Sequence, residues 1–126
     1  AALNERIFYY WRPPHEMPWT YKNMDIAIIP SKSTEGTSLA CLEAMGAGCA
    51  IVAGYTGGLS DLIIDGYNGR LIKPAFQNLL DVLEELILDA EQRLRLGRTA
   101  REVASAFSLK VWKERWTRVI QEVFRK

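Results

Sequence analysis

The sequence predicts an α/β fold in which helices flank a parallel sheet. Two strand-like runs support this interpretation: DIAIIP at residues 25–30 and the β-branched run AIVAG at residues 50–54. An apolar segment of helical length, SLACLEAM, lies between them. Because strands and helices alternate along the chain, neighbouring strands are expected to run parallel and to be joined by helical crossovers.

The first 30 residues are predicted to contain two strands with a loop and a short helix between them. The run IFYYW predicts a strand at residues 7–11, and the prolines that follow predict a loop at residues 12–18. A short helical segment at residues 19–23 then leads into the strand at residues 25–30. The loop SKSTEGT comes next, so its polar residues lie at the carboxyl end of that strand.

Capping residues and glycines set the bounds of the middle elements. Ser38 suits the N-cap of a helix over residues 38–45, because its hydroxyl can accept a hydrogen bond from a backbone N–H. Gly46 and Gly48 mark the end of that helix. The remaining elements of this part are a short helix at residues 60–64 and, after the turn DGYNG, a strand at residues 70–72.

Three amphipathic helices are predicted to close the fold. Apolar residues recur at helical spacing in the first two, at Leu79, Leu83 and Leu86 and then at Leu94, Ala100 and Val103. The last helix, within residues 108–126, begins with Ser108 as its N-cap and carries one apolar stripe: Leu109, Trp112, Trp116, Val119, Ile120 and Val123. We expect these stripes, the two tryptophans included, to pack in a core.

Composition narrows the class of protein. The 126 residues are 48% hydrophobic and 25% charged, which predicts one soluble domain with a core of its own. The net charge is +1 and basic residues are mixed with acidic ones, so no nucleic-acid partner is expected. No run reaches the roughly 18 apolar residues of a membrane span. Cys41 and Cys49 are interpreted as small, reduced core residues, which favours the cytoplasm.

Glu35 and Glu43 point most directly to a function. Glu43 is the only charged side chain between Gly36 and Ser60, and a carboxylate buried in so apolar a segment requires a hydrogen-bonding partner. Glu35 follows the carboxyl end of a strand, where ligands bind in open α/β sheets. The helix that starts next presents unpaired N–H groups and a positive dipole end. With Ser38 at the N-cap, Glu43 lies about 7 Å along the helix axis.

This arrangement indicates a ligand that is anionic in the middle and carries hydroxyl groups at its ends. An ionised carboxylate accepts hydrogen bonds from hydroxyl groups, whereas a helix N-terminus attracts anions. A nucleotide sugar has both features. The sequence therefore predicts a nucleotide-sugar site at the two glutamates and the helix start between them.

The same residues resemble a known family. The segment PSKSTEGTSLACLEAMGAGCAIVAGYTGGLSDLIIDGYNGRLIKP is similar to the donor-binding core of the family 4 (group 1) glycosyltransferases. The shared features are the paired glutamates, the AMGAG turn, the glycine pair Gly57 and Gly58, the DGYNG turn and the AFSL start of the last helix. The resemblance implies the Rossmann-like C-terminal domain of a GT-B fold, of which this chain matches the latter part. It also implies a retaining transfer that needs no metal ion and no cofactor.

The resemblance assigns roles to the residues of the motif. Glu35 would contact hydroxyl groups of the donor sugar as the catalytic residue, and Glu43 would bind the ribose hydroxyl groups. Five backbone N–H groups would face the sugar and the phosphates, those of Gly36, Thr37, Ser38, Leu39 and Ala40. The alternatives are a solvated loop carboxylate for Glu35, a structural charge paired with a backbone N–H or Arg12 for Glu43, and a simple helix start between them.

Four further residues are secondary candidates. Gly57 and Gly58 form either a tight turn or a wall of the ligand site. Trp11 and Arg12 lie at the end of the first predicted strand, where the family positions the nucleotide base, and they either contact the base or pack in the ordinary way. His15, the sole histidine, has no cysteine or carboxylate at metal-ligand spacing and is interpreted as a loop residue, so no metal site is expected.

We therefore expect transfer of a sugar from a nucleotide diphosphate sugar to a hydroxyl acceptor, with this chain supplying donor binding. A non-catalytic sugar- or nucleotide-binding module of similar architecture is the main alternative. A non-hydrolysing sugar-nucleotide epimerase is the third candidate function.

The chain begins Ala1-Ala2-Leu3, without methionine, and we expect it to be part of a longer protein. The resemblance implies that a missing N-terminal domain supplies most of the acceptor site, so this part alone is expected to be inactive. In the family the last helix crosses to that domain, and self-association is another way to cover its apolar face. A cytoplasmic location, with membrane-peripheral attachment of the full-length protein, completes the expectation.

Overall fold

A three-stranded parallel sheet lies at the centre of the computed structural model, which describes residues 6–125. The strands are β1 (Ile26–Ile29), β2 (Ala50–Gly54) and β3 (Arg70–Ile72), in the spatial order β1-β2-β3. Both neighbouring pairs are parallel. The parallel α/β fold predicted from the sequence is confirmed, and β2 and β3 have the predicted bounds.

The strands are joined by helices, as the crossovers of a parallel sheet require. α2 (Leu39–Ala47) connects β1 to β2, and α3 (Leu59–Leu62) lies between β2 and β3. The other helices are α1 (Met17–Lys22), which follows a 3-10 helix at Pro14–Glu16, and then α4 (Phe76–Leu88), α5 (Ala90–Ser105) and α6 (Leu109–Phe124). Across residues 6–125, none of these helices has the length and apolar character needed to traverse a bilayer.

Local sequence explains where α2 begins and ends. Ser38 is extended, and its Oγ accepts a hydrogen bond from the backbone N–H of Cys41 at 3.3 Å. Gly48 follows the helix in the left-handed conformation, with φ 86°, which glycine adopts without strain. The predicted N-cap and the helix end at Gly48 are confirmed, whereas Gly46 lies within α2, which runs two residues beyond the predicted end at residue 45.

The core lies on both faces of the central strand. All five residues of β2 are buried. Ile51 packs with Met45 on one face, and Val52 packs with Leu86 and Leu96 on the other. Because alternate side chains of a strand point to opposite faces, β2 contributes to both apolar clusters.

Helix α5 approaches the turn between α2 and β2 closely. A Cβ atom on Gly97 would overlap the carbonyl oxygen of Gly48. Glycine within a helix costs about 1 kcal/mol relative to alanine. The close approach of the two backbones explains why a glycine stands in the middle of α5.

Polar contacts fasten the DGYNG turn that precedes β3. The buried Asn68 side chain accepts a hydrogen bond from the Ile64 N–H at 2.7 Å and donates one to the Leu62 carbonyl at 2.8 Å. Arg70 donates to Asp65 at 3.0 Å and to Glu85 of α4 at 2.6 Å. The turn is therefore tied to the helix that packs beside it.

The strand predicted at residues 7–11 is absent, and that prediction was wrong. These residues have no regular structure, and Tyr9 is 93% and Trp11 80% exposed. A run of aromatic and β-branched residues favours a strand only where a pleated, half-buried surface receives it. The short helix that follows was predicted, but α1 begins at Met17, two residues early, because a proline at the second helical position is tolerated.

Two core predictions in the closing helices were also wrong. Leu94 is 63% exposed, whereas Leu96 is fully buried in its place. α6 has no buried residue, and its tryptophans Trp112 and Trp116 are 56% and 52% exposed. The apolar stripe of α6 exists as the periodicity predicted, but in the part of the chain that the structure describes it lies on the surface.

Candidate functional site

The candidate site is the loop that joins β1 to α2. It follows Ile29 at the carboxyl end of β1, and the carboxyl ends of β2 and β3 lie at the same edge because the sheet is parallel. In open α/β sheets, ligands bind outside this edge, and a helix N-terminus beside it attracts anions. Glu35 lies in this loop, three residues before the N-cap of α2.

Hydrogen bonds hold Glu35 at both its side chain and its backbone. The Ser31 hydroxyl donates to Glu35 Oε2 at 2.6 Å. The backbone N–H of Gly58 donates to the Glu35 carbonyl at 3.1 Å. The Glu35 residue is partly buried.

Three glycines form a surface on which the loop packs. A Cβ atom on Gly54 would overlap the carbonyl oxygen of Ser31, and one on Gly58 would overlap that of Gly36. Gly57 has a φ of +49°, and a Cβ there would overlap the Glu35 carbonyl oxygen. We call Gly54, Gly57 and Gly58 the glycine seat. Gly57 and Gly58 lie in a turn that admits the Glu35 loop, and their role as a wall of the ligand site stays a prediction.

Thr34 has an unusual backbone conformation next to Glu35. Its φ is +49°, and it is the only non-glycine residue among 6–125 with a positive φ. A β-branched residue in this region is strained by about 1–3 kcal/mol. The hydrogen bonds and the glycine seat on either side hold the loop in this conformation.

The first turn of α2 leaves backbone donors open. The first N–H groups of an α-helix have no partner within the helix, and Ser38 Oγ satisfies that of Cys41. Those of Leu39 and Ala40 remain for solvent or a ligand, and both residues are exposed. Gly36 and Thr37 are exposed as well, whereas Ser38 is buried beneath the turn.

Glu43 is exposed, so the expectation of a buried carboxylate was wrong. The buried residues of α2 are Cys41, Ala44 and Met45, and the helical period turns position 43 away from them. Its carboxylate needs no buried partner, and Arg12, the suggested partner, pairs instead with Glu16 at 3.1 Å.

The side chain of Glu43 lines an open pocket against neighbouring helices. Lys22 of α1 and Arg101 of α5 supply basic groups to the same pocket. Glu35 does not line it, so the structure brings both carboxylates to α2 but does not enclose them in one cavity. Two carboxylates on either side of the open first turn remain suited to an extended ligand that lies along the helix.

Arg12 and Trp11 lie on the surface near α1. The Arg12 guanidinium stacks 4.8 Å from the centre of the Tyr10 ring, and the Trp11 side chain is 80% exposed. His15 is also exposed beside them. Their contact with a nucleotide base stays a prediction.

The two cysteines are core residues, as predicted. Both thiols are free and buried. Burial, aided by the nearby charge of Glu35, raises the pKa of Cys41 to about 11. A thiol of that pKa is almost fully protonated at neutral pH and is a poor nucleophile. Residues 6–125 contain no group of three His, Cys, Asp or Glu side chains that could hold a metal ion.

The sequence analysis missed two residues of this site. Ser31 was treated only as one of the polar residues of the loop SKSTEGT, and Gly54 only as the end of a strand. A serine four residues before a glutamate in a loop is too common to single out. The contact at Gly54 joins segments more than 20 residues apart in sequence, and no local pattern reports it.

Comparisons with known proteins show which family the chain resembles. The sequence model of the family "Glycosyl transferases group 1" matches residues 1–103. A D-inositol 3-phosphate glycosyltransferase of Corynebacterium aurimucosum is 36% identical over 98 residues, which cover 77% of this chain and 23% of that protein.

Two solved structures show the same fold. The C-terminal domain of a glycosyl transferase group 1 family protein from Francisella tularensis matches with a TM-score of 0.70 at 30% identity, covering 79% of this chain and 51% of that chain. The HepE protein of Anabaena in complex with UDP matches with a TM-score of 0.89 at 23% identity, covering 96% and 34%.

The chain belongs to the group 1 glycosyltransferase family. It spans about a quarter of the length of the curated relatives it matches, 23% in the case of the Corynebacterium protein. The Rossmann-like parallel sheet of a GT-B glycosyltransferase, predicted from the sequence, is confirmed as the fold class.

Proposed function

We propose that this chain forms the donor-binding part of a glycosyltransferase that moves a sugar from a nucleotide diphosphate sugar to a hydroxyl acceptor with retention. The observation that carries the proposal is the juxtaposition of the fastened Glu35 carboxylate with the open N–H groups of Leu39 and Ala40. The names of the relatives support it, since they are glycosyltransferases. HepE binds UDP in one structure and UDP-glucose in another, which makes nucleotide sugars suitable ligands to test.

The helix start would act on the diphosphate. As the bond between sugar and phosphate breaks, negative charge grows on the leaving diphosphate. Backbone N–H groups at Leu39 and Ala40 and the dipole of α2 stabilise that charge without reorganising, and such donors act most strongly on charge that develops during the reaction. Gly36 and Thr37 keep the approach open because their side chains are small.

The two carboxylates would bind the hydroxyl-bearing ends of the donor. Glu35, next to the helix start, accepts hydrogen bonds from the sugar and fixes its orientation relative to the phosphate. Glu43, one turn further along α2, accepts hydrogen bonds from the ribose. Arg12 and Trp11 remain candidates for contact with the base, and Gly57 and Gly58 act on the ligand through the loop that they support.

The acceptor and the rest of the reaction belong to the whole protein. Because the chain covers about a quarter of its relatives, we propose that a further domain supplies most of the acceptor site and that α6 contacts it. The 126 residues alone should bind donor without steady turnover. The free thiols Cys41 and Cys49 support a reducing, cytoplasmic location, with membrane-peripheral attachment as a property of the full-length protein.

Binding of UDP-glucose and UDP to the purified chain tests the site. NMR titration of the wild-type chain should shift the amide signals of Leu39 and Ala40 with either ligand. Glu35→Gln should weaken UDP-glucose about 10-fold and leave UDP unchanged, because only the sugar contact is lost. Glu43→Gln should weaken both ligands by a similar factor, because both contain ribose.

Glu114→Gln is the control, since this exposed glutamate lies on α6 away from the loop. Equal weakening of both ligands by Glu35→Gln would contradict the assigned role of Glu35. In a full-length parent, donor binding without hydrolysis or transfer would favour the non-catalytic binding module instead.

A further inference from the structure

We propose that Ser31 is a positioning residue for the Glu35 carboxylate, an inference that rests on the proposed role of Glu35 in binding the donor sugar. The Ser31 hydroxyl donates to Glu35 Oε2 at 2.6 Å, a distance typical of a hydrogen bond from a hydroxyl to a carboxylate. Within residues 6–125 no other side chain donates to that carboxylate. One oxygen is thus held while the other can accept from a ligand.

The backbone contacts alone do not place this carboxylate. The glycine seat and the Gly58 N–H fix the Glu35 carbonyl, and therefore its Cα position. Three side-chain torsions separate that Cα from the carboxylate oxygens; the first two have three staggered positions each, and the last is broad and roughly two-fold. The Ser31 hydrogen bond is the contact that selects among them.

Ser31 is itself rigidly placed. It follows Pro30, whose ring fixes one backbone torsion, and its carbonyl packs against Gly54 at the end of the fully buried strand β2. The Glu35 carboxylate is thus positioned relative to the central strand through its hydrogen bond with the Ser31 hydroxyl. A site held in this way loses less rotamer freedom when the sugar binds, so the sugar contact is stronger.

The test compares Ser31→Thr with Ser31→Val. The two substitutes have nearly the same shape, and only threonine keeps the hydroxyl, so any backbone effect of β-branching cancels between them. NMR titrations of each variant with UDP-glucose and with UDP give two affinities. Ser31→Thr should keep the wild-type affinities within about 2-fold, whereas Ser31→Val should weaken UDP-glucose about 10-fold and leave UDP within about 2-fold.

Ser33→Val serves as the matched control. Ser33 lies two residues away in the same loop and is exposed, and its replacement should leave both affinities unchanged. Thermal unfolding of the threonine and valine variants checks that both chains fold. A structural role alone would weaken UDP and UDP-glucose together, and that result would overturn the inference.

A second comparison places both substitutions in the Glu35→Ala background, because a glutamine at position 35 would keep an amide oxygen that accepts from the hydroxyl at position 31. There the difference between threonine and valine at position 31 should disappear, because the carboxylate that Ser31 holds is gone. A difference that persists would overturn the inference. If Glu35→Gln itself does not change UDP-glucose affinity, the proposed function of Glu35 fails; if it does and threonine and valine behave alike, only the role of Ser31 fails.

Discussion

At the scale of single residues, the site depends on small side chains that let two backbones meet. The Glu35 loop reaches its position because Gly54, Gly57 and Gly58 offer no Cβ atoms to its carbonyl oxygens. Ser31 then orients the carboxylate by one hydrogen bond. In the proposed function Glu35 and the helix start contact the donor, whereas the glycines that position the loop carry no reactive group.

Replacement of Gly57 by alanine should destabilise the fold and displace Glu35. The new Cβ would overlap a backbone carbonyl, and the left-handed conformation alone costs a non-glycine residue about 1–2 kcal/mol. We expect a total loss of about 2–4 kcal/mol in the free energy of unfolding, measured by urea titration.

Gly66→Ala is the control for this measurement. Gly66 also has a positive φ, 77°, but a Cβ there meets no atom within 4 Å. The substitution should cost only the conformational part, about 1 kcal/mol. Equal losses for Gly57→Ala and Gly66→Ala would show that the overlap relaxes freely and that the glycine seat is not tight.

At the scale of elements, Arg70 links β3 to α4 and to the preceding turn. Its guanidinium donates to Glu85 at 2.6 Å and to Asp65 at 3.0 Å. Gln92 of α5 donates to the other oxygen of Glu85 at 2.7 Å. The edge of the sheet is therefore held to α4 and α5 by the hydrogen bonds among these side chains.

These hydrogen bonds should make the free energy of unfolding depend on pH in the acidic range. The hydrogen bond from Arg70, and then that from Gln92, lower the pKa of Glu85. A carboxylate with a lowered pKa contributes stability above the unfolded-state value of about 4.3, and that contribution is lost as the pH falls through the folded-state pKa. Both side chains are partly exposed, so the contribution should be below about 1 kcal/mol.

Urea unfolding between pH 6 and pH 3 measures this effect. Glu85→Gln should lower the free energy of unfolding at pH 6 and make its fall towards pH 3 shallower than in the wild type. Glu84→Gln, at the exposed neighbouring position, should leave the acid slope unchanged. An identical slope in the wild type and Glu85→Gln would show that the pair is screened by solvent.

At the scale of the whole molecule, α6 presents an apolar surface without a partner in residues 6–125. Leu109, Trp112, Trp116, Val119 and Val123 are each about half exposed or more. Contiguous apolar patches of this kind mark surfaces that bind another protein surface.

The 126-residue chain alone should therefore associate weakly through α6. Sedimentation velocity should show an average mass that rises with concentration, and a Trp112→Gln, Trp116→Gln variant should remain monomeric, because the two largest apolar side chains are lost from the patch. Trp19→Gln is the control, since Trp19 is 70% exposed on α1. Association that persists in the double variant would assign it to another surface.

The features that the sequence predicted correctly are those with local causes. β2 and β3 follow from β-branched runs bounded by turn residues, and the start of α2 follows from the capping chemistry of Ser38. The features it missed depend on tertiary neighbours. Residues 7–11 lack a strand to pair with, and the contact of Ser31 with Gly54 joins distant segments.

Glu43 illustrates a different kind of error. Its burial was inferred from the apolar character of its neighbours along the chain, although the helical period decides which face of α2 each residue occupies. The period places Cys41, Ala44 and Met45 inside and position 43 outside. The motif was recognised correctly, whereas the reason given for its charge was wrong.

The glycine seat contacts the backbone carbonyl oxygens of the Glu35 loop and not its side chains. Lys32 and Ser33 lie between the loop residues whose carbonyl oxygens contact the glycine seat. Both are exposed and can change without altering the backbone position of Glu35. The loop thus has a fixed backbone and exposed positions that can vary. The loop can therefore accept sequence changes at these exposed positions while the distance from the Glu35 carboxylate to the start of α2 is preserved.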